Sequence, residues 1–299
     1  MTAPAPETTA VTERPLTGPE PAPAGANPEI PTSVPPPRRG RFRDLATSVL
    51  FALLGVGCLV ALWSLVAWRS PDLPTPIDAW REFLDLMSSP FHDSGPNDKG
   101  IGVQLWISIG RVFRGFALAA LVGVPLGLLM GGSRRAWQAV NPVVQLLRPV
   151  SPLAWFPLGL VVLKDSPQAA VFVIFITALW PIVINTAAGA ASIPTDQRNV
   201  ARVFRFGRVA YVRHVMIPHT LPSLITGLRL SMGVAWMVIV AAEMLSGGSG
   251  IGFFVWDSYN GGNLSAVIAA ILFIGIVGVA LDSVFVRLGR RVSTQEATP

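Results

Sequence analysis

Long apolar runs separated by short polar ones set the plan of this chain. Six of them are long enough to cross a bilayer: Leu45 to Ala67, Leu105 to Met130, Val140 to Leu163, Pro167 to Ala188, Leu221 to Met244 and Leu264 to Val286. A spanning helix needs about 20 mostly apolar residues. The pattern therefore predicts an all-α, polytopic membrane protein with about six transmembrane helices. Within the second run, Gly115, Gly123, Gly127 and Gly131 recur at multiples of four, and Pro125 lies on the same segment. Such a stripe of small residues lets another helix approach closely. The third run holds Pro142, Pro149, Pro152 and Pro157. That many prolines predict a kinked or interrupted helix, tolerable in lipid only where the freed carbonyls find partners or line a cavity.

The polar intervals differ from one another. Residues 1–44 are rich in Pro and Ala, lack apolar periodicity and end in Arg38, Arg39, Arg41 and Arg43; they read as a disordered tail with a basic end. The twin arginine imitates an export signal, but the apolar run after it (45–68) is too long for one, and no small-residue cleavage site follows. Residues 69–104 are acidic. Pro74-Thr75-Pro76 starts a short helix there, with Ile77, Trp80, Phe83, Leu84 and Met87 as its apolar stripe. It either lies on the outer membrane surface or packs on the bundle. Residues 105–288 form a five-helix core, and 289–299 a second tail.

Inside the core, Pro194 to Pro222 is the long polar interval, with Arg198, Arg202, Arg205, Arg208 and Arg213. At about 100° per residue the first four share one side of a helix, and Val200, Val203 and Phe204 the other. Pro194-Thr195 supplies an entry turn and N-cap, Gly207 a break and Pro218 a stop. The arginine side suits a membrane surface or a partner. The loop from Ser246 to Asn263 reads as irregular.

Composition sharpens this. Apolar residues make up 51% of the 299 and charged residues 13%, and the net charge is +6. A soluble chain carries roughly twice that charged fraction. The basic residues cluster at the edges of apolar runs, which argues for topology and against nucleic acid. With both termini inside, cytoplasmic segments hold 15 of the 23 Lys and Arg, outer segments hold Arg69, Arg81, Lys99 and Lys164, and spans hold the other four. That asymmetry predicts six spans with both termini in the cytoplasm.

No enzyme constellation is visible. There is no G-x-x-x-x-G-K-[ST], and Gly248 to Gly252 opens no βαβ unit. Cys58 is alone, and His92, His214 and His219 are scattered, so no metal site and no cofactor of this chain's own is expected. Transport is what the pattern leaves. Arg111, Arg114, Arg148 and Arg229 lie in spans, where each costs about 2.5–3.5 kcal/mol at a helix centre and needs a reason. They either line a path for an anion or pair and snorkel. Arg148, Arg229, Trp155 and Glu243 are the candidates for such a path. Glu243 either gates with the glycine loop or pairs with an arginine.

The interval from Thr195 to Pro218 resembles the EAA loop of ABC importer permeases, with Asn199, Val200 and Ala201 at the Glu-Ala-Ala positions and Arg205 at the glycine position. LRPVSPLAWFPLGL, IFITALWPIVINTAAG, TGLRLSMGVAWMVIVAAEMLSGGSGIGFFVWD and GIVGVALD are similar to nitrate/sulfonate/bicarbonate importer permeases, most of all the nitrate branch, over roughly residues 45–292. The resemblance implies the type I permease fold, with two copies forming the pathway. It also implies two cytoplasmic ATPase subunits carrying ATP and magnesium, and an extracytoplasmic solute-binding protein. In that reading Thr195, Asn199, Val200, Ala201, Arg202, Phe204, Arg205, Arg208 and Pro218 couple to the ATPase. Nitrate is the first substrate, with sulfonate or taurine, bicarbonate and cyanate as alternatives. A self-sufficient secondary transporter or channel, or a scaffold without transport activity, are different classes.

Overall fold

The computed structural model describes residues 41–70, 72–95 and 98–295. The chain divides into two compact units, Met1–Gly55 and Val56–Pro299. α1 (Arg41–Arg69) belongs in part to each. Of the expected tail over 1–44, residues 1–40 lie outside the described residues. Arg41 and Arg43 open α1, so the basic end is helical there. From Val56 onward α1 exposes Leu59, Leu62, Leu65 and Trp68, and Trp63 Nε1 donates to Pro74 O at 3.1 Å.

α2 (Pro76–Ser88) begins at a capping box. Thr75 N donates to Asp78 Oδ2 and Asp78 N to Thr75 Oγ1, both at 3.3 Å. The expected single apolar stripe divides in two. Phe83 stacks on Phe273 at 4.3 Å and Ala79 is buried, whereas Ile77, Trp80, Leu84 and Met87 face outward. The packing on the bundle is therefore seen, and the outward face stays exposed.

α3 (Ile101–Gly132), α6 (Ser166–Ala191), α9 (Ile217–Ser246) and α11 (Leu264–Gln295) make the bundle. The glycine stripe of α3 faces α6. A Cβ on Gly115 would meet the Ile174 side chain at 2.7 Å, one on Gly123 Ile182 at 3.0 Å, and one on Gly127 Thr186 at 2.6 Å. The two sets advance together, so α3 and α6 run parallel. The chain between them must therefore cross the bundle from one end to the other. That crossing is made by α4 (Arg134–Leu147) and α5 (Phe156–Leu163), joined by a 3₁₀ turn at Pro152–Trp155 and bent by 98°. The prolines break this span as their number implies. Arg134 and Arg135 form the first turn of α4 behind the Ser133 cap. Lys164, at φ 54°, and the Asp165 cap then start α6.

α9 is antiparallel to α6, fixed by Ser231 Oγ donating to Ala178 O at 2.7 Å and Ser166 Oγ to Ser246 O at 2.8 Å. It starts earlier than the apolar run, and Pro218 falls in its first turn instead of ending a helix. Ahead of it, α8 (Arg208–Tyr211) passes into a π-turn, Val212–Met216. The extra residue of a π-turn relieves the clash between a proline ring and the preceding turn. α10 (Ile251–Asn260) is a helix where a loop was expected, and α11 continues to Gln295 where a tail was expected from 289. Among the described residues, five helical stretches, one of them running from α8 through the π-turn into α9, and the one bent pair are long and apolar enough to give up to six spans.

Candidate functional site

The polar interval folds at one end of the bundle. α7 (Thr195–Val203) starts after Pro194 without a side-chain cap, so Thr195 is its first residue rather than its N-cap. It ends in a Schellman turn: Phe206 N donates to Ala201 O at 2.9 Å and Arg205 N to Arg202 O at 3.0 Å, with Arg205 left-handed at φ 52°. Glycine is the usual residue there. The tight turn is made without it.

This break corrects the arginine face. Arg198 and Arg202 share α7, but Arg205 lies in the turn and Arg208 begins α8. Ala201 is buried beneath the helix at 5% exposure, so it supports α7 and is not on its outer surface. Asn199 Oδ1 accepts from Arg202 Nη1 at 3.4 Å, and Arg198 donates to Ala191 O at 3.0 Å, tying α7 to the end of α6. Val200, Val203, Phe204, Phe206 and Val209 are exposed, Val203 at 78% and Phe204 at 71%. Pro218, exposed, begins α9 beside them.

The opposite end, where α3 begins and α9 ends, is built the other way. Glu243 is fully buried and its carboxylate is saturated. Arg111 Nη1 donates to Oε1 at 2.7 Å; Ser108 Oγ at 2.7 Å and Gly252 N at 3.1 Å donate to Oε2. Arg111, itself 4% exposed, also donates to Ser249 O at 2.7 Å and Ser249 Oγ at 3.0 Å. Ser108 Oγ accepts from Ile251 N at 2.8 Å, and Gln104 Oε1 accepts from Gly250 N at 2.6 Å. Four side chains thus clamp the glycine loop and the start of α10 onto α3 and α9. Gly250, at φ 110°, and Gly252 approach so closely that a Cβ on either would strike Glu243. Glu243 thus pairs with an arginine, as one of the two alternatives had it, and also bonds the start of α10.

The other intramembrane arginines separate by partner. Arg114 Nε donates to Gly110 O of its own helix at 3.2 Å. Arg229 makes a bidentate pair with Asp282 on α11, at 2.6 and 2.8 Å, with both side chains about half exposed. Arg148, at the end of α4, lines a cavity of about 280 Å³ together with Trp155, Thr177, Trp180 and Val234. Arg148 and Trp155 come together as candidates; Arg229 and Glu243 belong to other places. Ser108, Gln104, Ser249, Asp282 and Trp180 escaped the sequence reading. Asp282 alone carried a signal, as an acid inside an apolar run that also needs a partner.

Residues 123–294 match the family described as the binding-protein-dependent transport system inner membrane component. The nitrate import permease protein NrtB of Synechocystis sp. is 43% identical over 235 residues, 78% of this chain and 86% of that protein. The bicarbonate transport system permease protein CmpB of Synechococcus elongatus is 41% identical over 246 residues, 81% and 88% of the two chains. Among solved structures, a chain of an inward-facing MetNI methionine ABC transporter superposes with a TM-score of 0.56 at 18% identity, covering 62% of this chain and 93% of its own. A chain of a bacterial ABC transporter importing the acidic polysaccharide alginate gives 0.55 at 16%, covering 83% and 93%. Those two speak to the fold alone. Sequence match, helical bundle and spans agree: the chain belongs to the family of binding-protein-dependent inner membrane transport components, as a multi-pass permease with the type I ABC importer fold.

Proposed function

We propose that this chain, paired with a second copy of itself, forms the pathway of an ATP-driven importer of a small anion, with nitrate first. Relatives named for nitrate and for bicarbonate import support the anion class. Sulfonate, taurine and cyanate are the further candidates. Two ATPase subunits on the cytoplasmic side bind ATP and magnesium, and an extracytoplasmic solute-binding protein delivers the anion. In this reading the chain itself holds no nucleotide.

The α7 end is the coupling end. The observation that carries this is the exposed set Val200, Val203, Phe204, Phe206 and Val209, interleaved with Arg198, Arg202, Arg205 and Arg208. Water is a poor partner for five large apolar side chains on one small patch, and an apolar groove rimmed by carboxylates is a good one. The Schellman turn fixes the angle between α7 and α8, so a push on Phe204 passes through the π-turn into α9. Closure of the ATPase pair would draw the two α7 segments together and reorient the bundles toward the outside. Hydrolysis would reset them. Arg148 and Trp155 line the route the anion takes.

The test is uptake into proteoliposomes. ATP-dependent nitrate accumulation is expected only when permease, ATPase and binding protein are all present. Gradient-driven uptake by the permease alone would make it a secondary transporter and overturn the proposal.

A further inference from the structure

Each of the four intramembrane arginines carries the same insertion cost, yet only three have settled it. Arg111 is neutralised by Glu243, Arg229 by Asp282, and Arg114 bonds its own helix. The Arg148 guanidinium, exposed at the end of α4, donates to no side chain or carbonyl among the described residues. Its place at the C-terminal end of α4 lets the helix dipole favour a cation, but a dipole is not a counter-charge. The dipole alone does not account for it.

The surroundings of Arg148 are specific. The cavity lies at the 98° break in the span, level with Thr177, Trp180 and Pro181 in the middle of α6. Arg148 is its one charged lining residue. Thr177 Oγ1 is already committed to Val173 O and the Pro181 carbonyl to Asn185 Nδ2, at 2.7 and 2.8 Å. The indole N–H groups of Trp155 and Trp180 have no protein acceptor among the described residues, whereas those of Trp63 and Trp236 do. One cation and two neutral donors therefore border this space, and none of the three is bonded to an acceptor among the described residues.

We infer that this cavity is a station for one monovalent oxyanion on its way through the permease. The guanidinium fork takes two oxygens side by side, and an indole N–H takes a third. Charge sets the class. A monoanion on Arg148 makes a neutral pair, whereas a dianion such as sulfate leaves one negative charge with no second cation in the lining to meet it. Nitrate and bicarbonate share this chemistry. The inference rests on the anion-importer reading and adds to it the place and the charge rule.

The test compares wild type, Arg148→Gln, Arg148→Lys and Trp180→Phe in the reconstituted complex with ATPase and binding protein. Nitrate and bicarbonate uptake are measured in separate arms, alongside ATPase activity stimulated by the binding protein. Arg148→Gln is expected to lower uptake of the carried anion by about tenfold or more, from loss of charge-assisted bonds, with stimulated ATPase retained. Arg148→Lys should recover part of it, and Trp180→Phe, which keeps a ring and loses the donor, should fall between. The arm that responds identifies the anion. In the ATPase–permease complex without binding protein, nitrate or bicarbonate should raise the melting temperature above chloride and sulfate at equal ionic strength, and Arg148→Gln should abolish that rise. Wild-type uptake in Arg148→Gln, or loss of uptake together with stimulated ATPase in both Arg148 variants, overturns the station. Failure of the wild-type complex to carry nitrate, bicarbonate, cyanate or a sulfonate overturns the importer reading instead.

Discussion

The two ends of this bundle solve the problem of polar groups in opposite ways. At the α10 end, Glu243, Arg111, Ser108 and Gln104 are buried and bonded to one another or to the glycine loop. At the α7 end, four arginines and five large apolar side chains stand exposed around a left-handed residue. A satisfied, buried polar cluster holds one arrangement and resists change. An exposed mixed surface is incomplete until a partner covers it. The contrast teaches that the two ends differ in how finished they are, and the proposed docking role falls to the unfinished one, with the broken span between them.

The comparison breaks first at Glu243. Glu243→Ala strips the buried Arg111 of its counter-charge and frees Ser108 and Gly252, and is expected to cost about 3–5 kcal/mol. Thermal unfolding of the purified permease in detergent checks this, and a loss no larger than that of a surface substitution would dissolve the contrast. Next is the α7 end. Phe204→Asp should leave the permease's own unfolding within about 0.5 kcal/mol of wild type, yet weaken ATPase binding by about 2 kcal/mol or more, as for a hot-spot aromatic. Co-purification across a dilution series reads that out. A smaller effect is expected at Arg205, where glycine removes the strain of a left-handed side chain. Arg205→Gly should stabilise the permease by about 1 kcal/mol in thermal unfolding, while loss of one of the four cations on the docking face weakens ATPase association less than Phe204→Asp does.

The smallest effect concerns His92, in the segment preceding α3. Its Nδ1 is 2.9 Å from Ser89 O and its Nε2 2.9 Å from Asp98 Oδ1. Only the doubly protonated ring can donate to both. The Ser89 carbonyl first, and the Asp98 carboxylate next, hold its pKa above the usual 6.5. A raised pKa stabilises the folded form below pH 6.5, and that contribution disappears as pH rises through the folded value. Protection of the 89–99 backbone from hydrogen exchange should therefore fall between mildly acidic and alkaline pH in wild type, and do so less in Asp98→Asn.

Much of the fold was legible because it is local. The glycine stripe of α3 and the proline break between α4 and α5 are periodic or conformational facts of single segments. What escaped was long-range or lacked its usual marker. Arg111 and Glu243 are 132 residues apart, and no pattern within either span announces the other. α10 is 10 residues between glycine-rich turns, too short to stand out from a loop by composition. The turn at Arg205 was hidden because its usual glycine is missing, while the Schellman bonds impose the same geometry on an arginine. Pro218 misled for the opposite reason: a π-turn lets the helix run through it.

The claim that the α7 end is finished by another protein is tested most directly by crosslinking. Cys58, the single native cysteine, is replaced by serine, and cysteine is placed at Val203 or Phe204, the outward positions, and at the buried Ala201 as a control. Co-expressed with an ATPase carrying cysteines along its permease-facing groove, the 203 and 204 variants should crosslink in good yield and change yield with ATP, and the 201 variant should not. An assembled, ATP-hydrolysing complex in which neither outward position crosslinks would contradict the account.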